Sequence, residues 1–257
     1  MSPYSQQKNA LSANNRAVNA GLPMGSTPLP KPAFGVRIAD VTALKDDGSI
    51  VIGQRKIPTL PEFDQVFAAF AQGTLFQSDN GLVAVEDLQP GDRLMTASGQ
   101  CEQVTWIGSC AFAASDMGAR IHMTRIMPDS FGMNRPESFV SLGPAARVLH
   151  TPPDMRNTAS PSQMMSPAQR FVDGVNVIDV LPPTTVRLFH VGLRKHSALI
   201  AGGLEVESYF PEAAPLKNLS HTLRSVFISL FPHINDLGDL GNAMYARAPK
   251  DHEQSAA

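Results

Sequence analysis

The fold is decided by Leu82-Val83-Ala84-Val85-Glu86-Asp87-Leu88-Gln89-Pro90-Gly91-Asp92-Arg93-Leu94-Met95-Thr96 and by Gln103-Val104-Thr105-Trp106-Ile107-Gly108. A short apolar run meets Pro90-Gly91-Asp92, which is turn chemistry. A second run, Arg93 to Thr96, ends at Ser98-Gly99, and a third begins at Gln103. Proline and glycine punctuate runs too short for helices, so the segment reads as closely spaced β-strands. Further strands are expected at 139–142, 146–149, 175–180, 185–193 and 197–201. Many short strands of this kind imply an all-β barrel-like or sandwich-like core.

Outward from this core the character changes. Residues 1–33 are rich in Ser, Asn, Gln, Gly and Pro and read as a flexible arm, with too little apolar surface to offset the entropy of ordering. Residues 34–68 predict a lead-in hairpin, Phe34–Ile38 and Ser49–Ile52 joined by Asp46-Asp47-Gly48, and then a short helical segment from Pro61-Glu62. Residues 151–168 read as a loop insert, with one helical turn expected at 166–171. In the last segment, 212–257, Leu219, Leu223, Val226, Phe227, Leu230, Phe231 and Ile234 recur every three or four residues. That spacing predicts a C-terminal helix capped by Asn218 or Ser220 and stopped by Pro232, followed by a polar tail that frays.

Composition excludes several functions. The net charge is −2 and only 17% of residues are charged, so no basic footprint exists for nucleic acid. The small cluster Arg187, Arg194 and Lys195 lacks interleaved aromatics. No apolar run is long enough to span a bilayer, and no signal peptide opens the chain, so a cytoplasmic protein is expected. Two cysteines, Cys101 and Cys110, are too few for a disulfide scaffold or a cysteine zinc site.

The ordered motifs Gly73-Thr74, Val85-Glu86-Asp87-Leu88-Gln89-Pro90-Gly91-Asp92, Trp106-Ile107-Gly108, Phe189-His190-Val191 and Gly203-Leu204-Glu205-Val206-Glu207-Ser208-Tyr209-Phe210 resemble the hedgehog/intein (Hint) domain in its bacterial form. The resemblance runs over about residues 69–211 and implies an all-β Hint-like fold. It also implies a self-processing chemistry. In that family a leading Cys attacks the preceding carbonyl, and a Thr/Ser-x-x-His element polarises the bond and protonates the leaving amine.

Carried onto this chain, the nucleophile position holds Ala69, whose methyl group cannot attack. The second element is Gly143-Pro144-Ala145-Ala146-Arg147-Val148, with Gly143 at the hydroxyl position and Ala146 at the His position. Arg194 stands where the family has Asp, and His233-Ile234-Asn235 does not match the His-Asn pair of inteins. Thr74, His190 and His196 remain of the frame. The resemblance therefore implies a degenerate Hint domain, with no catalytic residue assigned and the vestigial positions Ala69, Thr74, Gly143, Ala146, His190 and His196.

No cofactor or metal is expected. His190 and His196, an even spacing apart, would share a strand face and with His150 or His122 hold a metal, but a structural role is favoured: one buried and bonded, the other solvated. Glu205 and Glu207 read as solvated, Thr74 as a turn residue, and Met155, Met164 and Met165 as part of an ordinary loop. The expected function is a non-catalytic binding or scaffold module, with a protein partner meeting the N-terminal arm or the apolar face of the C-terminal helix. The alternative is residual autoproteolysis near residues 68–74.

Overall fold

The computed structural model describes residues 35–113, 120–155 and 162–248, and the expected arm over 1–33 lies outside them. The described chain is strand-rich. Its first strands are β1 (Val36–Leu44), β2 (Ile50–Pro58), β3 (Phe70–Ala71), β4 (Leu75–Ser78), β5 (Gly81–Ala84), β6 (Arg93–Met95), β7 (Cys101–Phe112) and β8 (Met123–Ile126). The rest are β9 (Val140–Leu142), β10 (Arg147–His150), β11 (Met164–Pro167), β12 (Val177–Val180), β13 (Val186–Leu193), β14 (Ala198–Ala201), β15 (Leu204–Glu207) and β16 (Ala246–Arg247). Helices are α1 (Pro61–Phe67), α2 (Ala213–Lys217) and α3 (His221–Ile228).

The strands join in the order β12-β8-β9-β3-β13-β7-β6-β4-β14-β15-β10-β11-β16, with β1 branching from β7, β2 from β1, and β5 from β4. The long strand β7 organises this layout, since β6, β13 and β1 all pair with it. Gly108 in β7 is required by a close approach. A Cβ there would lie 2.4 Å from the Trp106 ring and 2.7 Å from Phe67.

Two apolar clusters result. One fills the inside of the strand array with Phe70, Phe76, Leu94, Ile126, Leu142, Val191, Leu199 and Val206. The other gathers Phe63, Phe67, Trp106, Tyr209, Phe227, Leu230 and Phe231 around α1, β7 and α3. The Trp106 indole N–H donates to the Leu230 carbonyl at 2.7 Å, and the Trp106 ring packs on Tyr209 and Phe231. Each fully buried large apolar side chain contributes about 1.5–3 kcal/mol, so the end of α3 is firmly anchored.

The hairpin is longer than expected, and its first strand pairs with β7 from Ala39–Cys110 to Ala43–Trp106. Its turn forms as read: Gly48 adopts φ 81°, and the Asp47 carboxylate accepts from the Ser49 backbone N–H and hydroxyl. Helix α3 starts after Ser220, whose side chain accepts from the Leu223 N–H, so Ser220 is the cap. It is shorter than its apolar spacing suggests, because Leu230 and Phe231 enter the core from the turn that follows it. On its apolar face Phe227 is buried against Phe63 and Phe231, while Leu223 and Val226 are partly buried.

The tail expected to fray is ordered to Ala248. A 3-10 turn spans Leu237–Leu240, and β16 pairs in parallel with β11. The insert likewise carries a strand, β11, with Met165 fully buried, and only its residues 156–161 lie outside the described residues. The expected turn follows as a 3-10 helix over Ala168–Phe171. Among the described residues no helix is long and apolar enough to cross a membrane.

Candidate functional site

The site builds up around the peptide bond between Ala68 and Ala69. Helix α1 buries Phe63, Val66 and Phe67 and ends at Ala68, where the chain turns out of helical geometry (φ −95°, ψ 44°). Ala69 then leads into β3, which is held between β13 and β9. Both alanines are buried. The Ala69 N–H donates to Phe189 at 3.2 Å, and its carbonyl accepts from Gly143 at 2.7 Å.

The loop Gly143–Ala146 closes over the Ala68 carbonyl. Ala145 N–H donates to that oxygen at 2.9 Å. A Cβ on Gly143 would lie 2.3 Å from the same oxygen and 2.8 Å from its carbon, both backbone atoms. Only glycine permits this approach. Ala146 is buried in the strand-array core, and its N–H returns to the Gly143 carbonyl at 3.1 Å. Ala69, Gly143 and Ala146 are thus brought together, and none carries a nucleophilic or titratable side chain.

Thr74 serves a turn. Its hydroxyl and its N–H both donate to the Ala71 carbonyl, at 2.7 and 3.1 Å. It lines a separate cavity of about 560 Å³, together with Arg125, Phe139 and Gly202.

His190 reaches a different space, a narrow cavity of about 40 Å³ lined also by Gln65, Val66, Ala145, Arg147, Glu207 and Tyr209. Its ring stands edge-on to Phe70 and Tyr209, and Nδ1 is buried without a hydrogen-bond partner. Burial holds its pKa down at about 4, against the pull of the Glu207 carboxylate and the backbone of Gln65 and Val66. It is therefore neutral at pH 7 and stands beside α1.

His196 is not on the same strand, because β13 ends at Leu193. The expected shared face with His190 is absent, and so is the expected solvent exposure of one of the two: both are buried. His196 Nδ1 accepts from the Met244 N–H at 2.9 Å, so its proton is on Nε2, which donates to Glu207 at 3.0 Å. His150 bonds Ser166 and His122 bonds Asp179, both elsewhere. Among the described residues no three His, Cys, Asp or Glu side chains are placed to hold a metal.

The carboxylates also differ from expectation. Glu207 is only 4% exposed, and Glu205 pairs with Arg135. Arg247 donates to Glu207 at 2.7 Å, and Arg147 lies 3.8 Å from it while donating to Glu212 at 2.8 Å and to the Ala248 carbonyl at 2.9 Å. Burial alone would push the Glu207 pKa up. The His196 hydrogen bond and the Arg247 guanidinium outweigh it and hold the carboxyl below its ordinary value. This network ties β16 to the strands behind His190. The Arg147 that follows Ala146 in the motif was its one visible signal, since Arg247 stands in the tail read as frayed.

The arrangement defines a class: a β-strand array folded around one internal peptide bond, with the upstream chain docked against it. The Hint domain pattern matches residues 68–213, more than half of the chain, and the protein belongs to the Hint domain family. None of the curated proteins matches it. Among solved structures, it is similar to the MchDnaB-1 intein at 14% identity, covering 55% of this chain and 100% of that one with a TM-score of 0.33. It is also similar to a bacterial intein-like domain from Clostridium thermocellum at 11% identity, covering 55% of this chain and 98% of that one, with a TM-score of 0.37.

Proposed function

We propose that this chain is a non-catalytic Hint domain protein that serves as a binding or scaffold module. The observation that carries the reading is the packing at Ala68–Ala69: the carbonyl a nucleophile would attack faces Gly143 with no room for a side chain. The residue that would attack it is an alanine. Processing needs a nucleophile, an acid for the leaving amine and room for a tetrahedral centre, all at one carbonyl. Here methyl groups at Ala69 and Ala146 stand in place of the first two, and a side chain at position 143 would collide with the Ala68 carbonyl. A rigid strand array tolerates such losses because its core lies elsewhere. The upstream residues 35–68 stay in place as structure, with β1 on β7 and α1 in the aromatic cluster.

One observation favours the alternative of residual autoproteolysis near residues 68–74. The Ala145 N–H already donates to the Ala68 oxygen, as an oxyanion donor would. The nearby hydroxyl of Thr74, however, is spent on Ala71. Hydroxylamine separates the two readings, because it cleaves any ester or thioester formed in place of a peptide bond. By intact mass, the incubated protein is expected to show no fragment ending at residues 68–74, a cut at Asn80–Gly81 being the reagent's own reaction with an Asn–Gly bond. A hydroxylamine-dependent fragment ending near residues 68–74 would overturn the proposal.

A further inference from the structure

We propose that β2 is a self-association edge, on which a second copy of this chain adds its own β2 in antiparallel register. Strand β2 is nine residues long and, among the described residues, pairs with β1 alone. The other strands that end or branch from the array without a second neighbour are short: β5 and β12 have four residues and β16 has two. Short edges protect themselves, whereas a long regular one offers a row of unpaired backbone groups.

The hairpin fixes which groups those are. Lys45 N–H donates to the Ser49 carbonyl and Thr59 N–H to the Gly35 carbonyl, both at 2.9 Å, and the register between is continuous. Odd-numbered residues of β2 therefore bond β1, and Ile50, Ile52, Gln54 and Lys56 turn their N–H and C=O groups outward. The Gln54 carbonyl accepts from the Arg55 guanidinium at 3.0 Å and keeps a second lone pair. The side chains of these four residues share the exposed face, and Ile52 is 79% exposed.

The occupant follows from charge and symmetry. One end of β2 begins after Asp46-Asp47 and the other carries Arg55-Lys56. A parallel neighbour would set like charges together, whereas an antiparallel copy sets each basic end on the acidic turn of the other. Centred on Ile52, the pairing puts Ile52 against Ile52 of the second copy and Ile50 against Gln54. Lys56 then falls opposite Gly48, beside Asp46, which is 91% exposed and meets Arg194 of its own chain only loosely, at 3.7 Å. The bonded pairs Ile52–Ile52 and Ile50–Gln54 join outward-facing residues, while the Gly48 N–H stays on the Lys45 carbonyl of its own turn, so neither hairpin has to change. Edge pairing alone buries less than the ~1,200 Å² of a standard interface, so the dimer is expected to be weak.

Sedimentation velocity on the full chain from about 5 to about 200 µM tests this. The expected result is a monomer–dimer equilibrium that Gln54→Pro weakens at least about tenfold, because proline removes an outward N–H that β1 does not use. The single changes Asp46→Lys and Lys56→Glu are each expected to weaken it about tenfold, and an equimolar mixture of the two to recover association. These two exposed sites keep the test valid should the proline variant not fold. A chain that stays monomeric throughout, whatever other strand its edge takes, overturns the proposal. So does a dimer indifferent to Gln54→Pro in a folded variant, or a charge-swapped mixture no tighter than its components.

Discussion

Replacing Gly143 by serine restores the kind of residue the family carries there, yet the geometry predicts damage. The new Cβ would stand 2.3 Å from the Ala68 oxygen and 3.1 Å from a Leu188 methyl. Something must move, and the nearest atoms are backbone. Opening the loop weakens two buried hydrogen bonds, Gly143 to Ala69 at 2.7 Å and Ala145 to Ala68 at 2.9 Å. Each is worth about 1 kcal/mol, and forcing atoms into a packed site costs a further 1–3 kcal/mol, roughly. Loss of glycine's freedom in the unfolded chain returns about 0.5–1 kcal/mol. The net expected loss is about 2–4 kcal/mol, or a urea midpoint lowered by about 1 M at the slope usual for a domain of this size. Gly143→Ala is expected to lose nearly as much, since the Cβ and not the hydroxyl is at fault. Variants whose midpoints stay within about 0.2 M of the parent would refute the closed-loop argument.

Other outcomes follow from the same contacts. Glu207→Gln leaves Arg247 without its carboxylate in a buried place and is expected to cost about 3 kcal/mol by thermal or urea unfolding. His190 is neutral when folded, with its pKa down at about 4, and takes up a proton near pH 6.5 when unfolded. The unfolded chain binds more protons in that window, so stability falls from pH 6.5 to 4, and His190→Phe is expected to flatten the decline by about 3 kcal/mol. Glu207 acts lower on the scale: its folded pKa is depressed, so its contribution is present above the ordinary carboxyl pKa and lost as pH falls through the folded value. Burial raises the Cys110 pKa to about 11 while Cys101 is only partly covered, so a thiol reagent is expected to modify Cys101 first and Cys110 only in denaturant.

Much of the fold was legible because local rules and tertiary demands agreed. Pro90-Gly91-Asp92 and Asp47-Gly48 carry turn chemistry that no neighbour contradicts, and β7 and β13 read as strands by composition alone. Helix α3 was overextended because its periodicity continues into Leu230 and Phe231, which answer to Trp106 rather than to a helix. Glu207 was misread for a stronger reason. Its partner Arg247 is 40 residues on, in a segment polar enough to look frayed. Long-range ion pairing leaves no periodic trace. At the candidate site, the alanines at 69 and 146 were visible as residue types. The meaning of Gly143 was not, because it depends on how closely the loop approaches Ala68.

The most direct test of the central claim is the intact mass of the purified full-length chain, held for days at neutral pH with and without an added thiol. The account predicts one species at the full-length mass under both conditions. A pair of masses summing to a cut at the Ala68–Ala69 bond, or anywhere up to Thr74, would contradict it.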